Sequence, residues 1–270
     1  MIWKIKNKQI EYGKNVLIMG IVNVTPDSFS DGGNWFSTEN AVSHALELVE
    51  QGADILDFGA QSTRPNYTEI SPQEEWARLE PVLTQIKDKT NVPISIDTYF
   101  PYVAENALNC GADIINDVSG VITDEMAQIV KNTGCGWILM HNGSGSVAEV
   151  KDFFEKSIEK CQSYGIDESQ ICLDMGIGFG KDYEQNLQLL SNVKSYKIEG
   201  YPLLLGTSRK RVIGQSSKQD VASERVYGNI AADTVAILGG VDIIRLHDVK
   251  NEKQGILTAQ ELKRAGINNG

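Results

Sequence analysis

Short apolar runs punctuate the chain at 16–22, 55–58, 93–96, 114–115, 137–140, 171–173, 203–205 and 241–246. They are too short for helices, and several are bounded by Gly, Asn or Asp, so they predict eight buried strands. Between them the apolar residues recur at helical spacing, as in Ala41, Val42, Ala45, Leu46, Leu48 and Val49, or Met126, Ile129 and Val130. Alternation of strand and helix predicts parallel strands joined by crossover helices. Eight such units suit a closed TIM (β/α)8 barrel better than an open sheet. Ahead of them, 2–5 and 9–12 around Asn7 and Lys8 predict a short β-hairpin closing one end. No linker or composition shift divides the chain, which predicts one domain over 1–270, with the hairpin in 1–13 and the barrel in 14–270.

Polar chemistry stands at the end of every run. Reading onward from each gives Asn23, then Ser62, Thr63 and Arg64, then Asp97, Asn116 with Asp117, His141, Asp174, Ser208 to Lys210, and Arg245 with His247 and Asp248. A single Asp or Asn after a strand is as often a turn former or helix cap. In a barrel, however, all these ends converge on one rim, where such enzymes carry their catalytic groups. Arg245 is distinct because it lies inside the last run. The two-residue strand period places it on the same face as His247, and a buried cation without a partner is costly, so a bound anion is expected to compensate it.

Composition narrows the partners. With 270 residues and 41% hydrophobic content the chain can bury one large α/β core. A formal net charge of −11 argues against broad nucleic-acid or anionic-membrane binding, so an anionic substrate needs a local basic pocket. No signal-peptide pattern or apolar stretch of about 20 residues is present, which makes the cytoplasm the expected location. Cys110, Cys135, Cys161 and Cys172 are scattered without a C-x-x-C pair and read as reduced thiols, mostly in the core.

The most specific string is Met19-Gly-Ile-Val-Asn-Val-Thr-Pro-Asp-Ser-Phe-Ser-Asp-Gly-Gly33, a strand running into a long glycine-hinged loop. It resembles the first signature of the dihydropteroate synthase family. The resemblance continues through Ser62-Thr-Arg-Pro65, Ile96-Asp97-Thr98, Ile115-Asn-Asp-Val118, Leu173-Asp-Met-Gly-Ile-Gly-Phe-Gly180, Thr207-Ser-Arg-Lys-Arg-Val-Ile-Gly214 and Arg245-Leu-His-Asp-Val249, in order along nearly the whole chain. It implies a barrel transferase of folate biosynthesis. In that reaction para-aminobenzoate displaces pyrophosphate from 6-hydroxymethyl-7,8-dihydropterin pyrophosphate, with magnesium and a homodimer.

The resemblance also implies roles. Asp97, Asn116 and Asp174 would bind the pterin edge, which suits carboxylates and an amide. Lys210 would donate to the ring, Arg245 would stack on it, and Met140 and Phe179 would give apolar contact. Asn23, Arg64, Arg245 and His247 would hold pyrophosphate, with Asn23 touching magnesium. Phe29, Thr63, Pro65, Ser208, Lys210 and Arg211 would form the para-aminobenzoate pocket, where the helix opening after the seventh strand could receive its carboxylate. Arg64, Lys210, Arg245 and His247 are the expected catalytic groups.

Some positions depart from the common family pattern: Ala60 and Gln61 before Ser62, Asn66 after Pro65, and Met175 after Asp174. Two other readings stay open on sequence alone. One is a methyltetrahydrofolate methyltransferase working with a corrinoid protein, which has no need for Arg64, Lys210 and His247 around a pyrophosphate. The other is a catalytically silent pterin binder.

Overall fold

The structure is a computed structural model that describes residues 1–24, 33–61 and 69–267, without the side chains of 33–37 and 267. A two-stranded hairpin comes first, β1 (Ile2–Ile5) and β2 (Lys8–Glu11). The barrel then runs β3 (Leu17–Asn23), α1 (Gly33–Gln51), β4 (Ile55–Gly59), α2 (Pro72–Ile86), β5 (Ile94–Asp97), α3 (Pro101–Cys110), β6 (Ile114–Asp117) and α4 (Asp124–Thr133). Its second half is β7 (Gly136–Met140), α5 (Val147–Tyr164), β8 (Ile171–Asp174), α6 (Tyr183–Ser191), α7 (Val193–Tyr196), β9 (Leu203–Leu205), α8 (Arg211–Ser217), α9 (Val226–Gly239), β10 (Ile243–Leu246) and α10 (Val249–Ile267). The eight strands β3 to β10 pair in parallel in chain order, and β10 pairs back onto β3, closing the ring. The barrel and hairpin expected from the pattern are both present.

Two details differ from the sequence expectation. Ile5 pairs with Lys8, so the hairpin turns at Lys6 and Asn7, with Lys6 at φ 55°. The last strand begins at Ile243, because Val241 and Asp242 belong to the approach, where the Asp242 side chain accepts from the Leu203 amide at 3.0 Å.

The period-two alternation of each strand sorts its residues between two cores. Ile18, Val22, Leu56, Phe58, Ile96, Ile115, Trp137, Leu139, Leu173, Leu205, Ile244 and Leu246 face outward and pack under the helices. Met19, Ile55, Ile114, Ile138, Cys172, Leu204 and Ile243 face inward, and Trp3, Ile5 and Tyr12 of the hairpin plug the amino-terminal end against them. Trp3 is fully buried, with its indole N–H donating to the Gln170 carbonyl at 2.8 Å. The same alternation leaves Asn23, Asp57, Ser95, Asp97, Asn116, Met140, Asp174 and Arg245 as the inward positions nearer the carboxyl ends. An apolar lower layer thus carries a polar upper one.

Helix starts are set by local chemistry. Ser71 caps α2 by accepting from the Glu74 amide, with Pro72 at the first helical position. Ser146 with Glu149 and Asp182 with Gln185 form capping boxes at α5 and α6. All four cysteines are free thiols, three of them buried. Among the described residues no helix is long and apolar enough to cross a membrane.

Candidate active site

The mouth of the barrel is organised around Asp57, a residue that the sequence reading did not single out. It is fully buried on β4, where Oδ1 accepts from Ser95 Oγ at 2.6 Å. Oδ2 accepts from Asn116 Nδ2 at 3.1 Å and from Arg245 Nε at 2.6 Å. Arg245 also reaches Asp97, its NH2 group lying 2.8 Å from Oδ2. The expectation that a bound anion must compensate Arg245 is therefore corrected: two carboxylates from neighbouring strands already do so. The signal was available, because Asp57 is an acidic residue inside an apolar run and on the inward phase of its strand.

The four groups expected to read a pterin converge here. Asn116 is 2% exposed. Because its Nδ2 is committed to Asp57, its Oδ1 is left as a buried acceptor without a partner among the described residues. Asp174 holds one oxygen in the Gly176 amide at 2.8 Å. Burial raises the pKa of both Asp97 and Asp174 above the ordinary carboxylate value. For Asp97, Arg245 opposes that rise while Asp57 and Glu75 add to it; for Asp174, Lys210 is the leading opposition. Lys210 enters from the loop after β9, donates to the Ile177 carbonyl at 2.6 Å and lies 4.6 Å from the centre of the Phe179 ring. Burial pulls its pKa down to about 8, against the attraction of Asp174. Met140 is buried at the end of β7, level with Asp174 in the neighbouring strand.

The anion-facing candidates lie beside them. His247 follows β10 and its Nδ1 is 3.0 Å from Ser208 Oγ, which also accepts the His247 backbone N–H at 3.2 Å. The loops after β9 and β10 are thereby joined. Asn23 is exposed at the carboxyl end of β3, and Arg211 is exposed at the start of α8. Arg225, which the sequence reading missed, fastens this corner. Its guanidinium donates to the Arg209 carbonyl at 2.7 Å, Lys210 at 3.3 Å, Gln219 at 2.9 Å and Asp220 at 2.7 Å. Phe29, Thr63, Arg64, Pro65 and Asn66 lie outside the described residues.

Two of the departures have a physical account. Gln61 donates to the Tyr99 hydroxyl at 2.8 Å and accepts from the Ile70 amide at 3.0 Å. Met175 is fully buried, and the Tyr196 hydroxyl lies 2.9 Å from its sulfur. A cleft of about 510 Å³ at the opposite rim, lined by residues including Lys14, Asp54, Lys253 and Arg264, lies on the face where barrels keep stability rather than chemistry.

Comparison with known proteins agrees with this geometry. Residues 19–247 match the model of the family described as pterin binding enzyme. The dihydropteroate synthase of Clostridium beijerinckii is 41% identical over 253 residues, spanning 91% of this chain and 94% of its own. The chain belongs to the dihydropteroate synthase family of pterin-binding enzymes. Among solved structures, the dihydropteroate synthase of Clostridium difficile, determined in the presence of pteroic acid, superposes with a TM-score of 0.89 at 43% identity, covering 94% of this chain and 98% of that one. The Xanthomonas albilineans dihydropteroate synthase in complex with 7,8-dihydropteroate gives 0.88 at 34% identity, over 96% and 98%.

Proposed function

We propose that this chain is the transferase that condenses 6-hydroxymethyl-7,8-dihydropterin pyrophosphate with para-aminobenzoate, releasing pyrophosphate and forming the 7,8-dihydropteroate of folate biosynthesis. The observation that carries this reading is the convergence of Asp97, Asn116, Asp174 and Lys210 around a neutralised Arg245 at one barrel mouth. Asp97 and Asp174 accept from the amino-pyrimidinone edge, the orphan Oδ1 of Asn116 accepts a further ring N–H, and Lys210 donates to the ring carbonyl and nitrogen. Arg245, flat and fixed by two carboxylates, stacks on the heterocycle. Met140 and Phe179 complete the apolar contact.

The reaction follows a dissociative course. The bond between the methylene carbon and the pyrophosphate oxygen breaks, with its electron pair leaving on the pyrophosphate. The electron-rich dihydropterin supports the methylene cation, and the neutral aniline nitrogen then bonds to that carbon and gives up a proton. No strong general base is needed, and the rate rests on holding leaving-group charge with Arg64 and His247, beside Arg245, whose own charge Asp57 and Asp97 already balance. Phe29, Thr63, Pro65, Ser208, Lys210 and Arg211 form the para-aminobenzoate pocket. The pterin is expected to bind first, with para-aminobenzoate following once pyrophosphate is in place.

Magnesium is the expected cofactor, and the residues suit it. Asn23 offers a hard amide oxygen exposed at the rim, and among the described residues no cluster of His, Cys, Asp or Glu competes as a metal cage. A magnesium ion typically keeps several waters and is shared between one or two protein oxygens and substrate phosphates. When bound it would neutralise pyrophosphate charge. The chain is read as one cytoplasmic domain over 1–270, with 1–13 as hairpin and 14–270 as barrel, acting as a homodimer without nucleic-acid or membrane partners. Tyr227, Val235 and Leu238 on α9 and Leu262 on α10 are large exposed apolar side chains that such a dimer would have reason to cover. Incubating the purified protein with dihydropterin pyrophosphate, magnesium and para-aminobenzoate tests the reading, with 7,8-dihydropteroate detected by mass. Binding of pterin without product would make the chain a silent binder.

A further inference from the structure

The loops after β7 and β8 meet backbone against backbone. A Cβ on Gly176 would stand 2.0 Å from the His141 carbonyl oxygen, and one on Gly180 would stand 2.6 Å from the Gly143 Cα. Both glycines are left-handed, at φ 66° and 71°. The Gly143 amide donates across to the Phe179 carbonyl at 3.2 Å. Into this seam runs Lys181, only 8% exposed. Its ammonium donates to the carbonyls of His141 at 3.0 Å, Gly176 at 2.9 Å and Phe179 at 3.4 Å.

We propose that Lys181 is a positioning residue for the pterin, one buried ammonium that clamps the two loops following Met140 and Asp174, the second of which carries Phe179, and so aims the Asp174 carboxylate at the heterocycle. Each of its three carbonyls adjoins one of those residues. His141 directly follows Met140, and its amide donates to the Asp174 carbonyl at 2.9 Å. Gly176 is held by the ammonium at its carbonyl, while its amide grips Asp174 Oδ1 at 2.8 Å, leaving Oδ2 without a protein partner among the described residues. Phe179 presents its ring to Lys210. A buried ammonium is costly unless hydrogen-bonded, and among the described residues no carboxylate lies within ion-pair distance of it. A fold that needed only packing here would be served by an apolar side chain. What the charge adds is a cage for three carbonyl dipoles and a cation near Asp174. Burial draws the Lys181 pKa down to about 8, with Asp174 opposing.

The groups facing Asp174 are Lys210, Arg245, Lys181, Cys172 and Tyr196, so losing one cation moves its titration in a known direction. The inference rests on Asp174 being a pterin contact, and D174N is the control that separates the two ideas. K181M is expected to raise the KM for dihydropterin pyrophosphate by roughly tenfold or more, because a charge-assisted network is lost. The KM for para-aminobenzoate at saturating pterin should stay within roughly twofold. The acid limb of the pterin KM profile should also move to higher pH, since Asp174 protonates more readily. An unchanged pterin KM in K181M beside a crippled D174N overturns the clamp, and so does a lowered Tm with the acid limb unmoved. Should K181M not fold, K181Q keeps two N–H donors without the charge; it should shift the same limb with a smaller rise in KM, and an unmoved limb overturns the proposal. Normal pterin binding by D174N would instead sink the site assignment, and the clamp with it.

Discussion

Replacing Asp57 by Asn tests the central electrostatic argument while changing no volume. The carboxylate accepts three hydrogen bonds, two through Oδ2 from Arg245 and Asn116 and one through Oδ1 from Ser95. An amide has one accepting oxygen. Whichever way it turns, its NH2 faces either the Ser95 hydroxyl or the Arg245 and Asn116 donors. Turning the oxygen toward Arg245 keeps the geometry but removes the charge, and turning it away sets donor against donor. Charge-assisted bonds are worth about 1.5–3 kcal/mol each and neutral ones about 1 kcal/mol, so a loss of roughly 3 kcal/mol is expected. Breaking a buried pair outright costs about 3–5 kcal/mol, and Arg245 retains Asp97, which keeps the figure at the lower end. At about 2–4 °C per kcal/mol for a chain of this size, D57N should melt roughly 6–12 °C lower. Because Asp57 raises the Asp97 pKa, the acid limb of kcat/KM for dihydropterin pyrophosphate should move to lower pH. Calorimetry and a pH series of initial rates would measure both. A D57N protein that melts within about 2 °C of wild type and keeps its pH profile would show that Asp57 does not neutralise Arg245.

Lys210 donates charge-assisted bonds only as the ammonium, so pterin affinity of the wild-type protein should fall as pH rises through about 8; K210M should lose that alkaline limb together with at least roughly tenfold in affinity, as titration calorimetry across pH would read. R225A frees the carbonyls of Arg209 and Lys210 and should raise the KM for para-aminobenzoate more than that for the pterin, and equal effects on both would count against a local role. Glu252 and Asp233 are buried acids raised by burial to about 8 and about 7. Their folded pKa values exceed the unfolded ones, so the native state binds the extra protons and stability falls as pH rises from about 4 through about 8. E252Q should therefore melt on the order of a few °C above wild type at pH 8.5 and show little gain at pH 4.5, whereas a uniform shift across pH would reject the titration account.

What was legible in the sequence follows physical range. Strand and helix periodicity is local, and it placed all eight barrel strands to within a residue or two. The polar residue following each run was also local, and it pointed to Asp97, Asn116, Asp174, Lys210 and His247, which lie at or after the carboxyl ends of the strands. Asp57 escaped because it lies two residues before the end of its strand, where only the inward phase distinguishes it. Arg245 reads from its strand as an expensive burial, but its partners lie 188 and 148 residues away along the chain, beyond the reach of a local pattern. Lys181 and Arg225 act on backbone carbonyls, and a carbonyl leaves no mark in a string of side chains.

The hairpin plug has a consequence for how the molecule assembles. Residues 1–12 precede every barrel strand in the chain, yet the apolar surface that receives Trp3, Ile5 and Tyr12 is complete only once β10, which carries Ile243, has been synthesised. A segment synthesised before the barrel is thus among the last to find its place, and until then the Trp3 indole and the Tyr12 phenol lack the surface that buries them. Nascent chains stalled before β10 should leave Trp3 open to solvent and available to a chaperone.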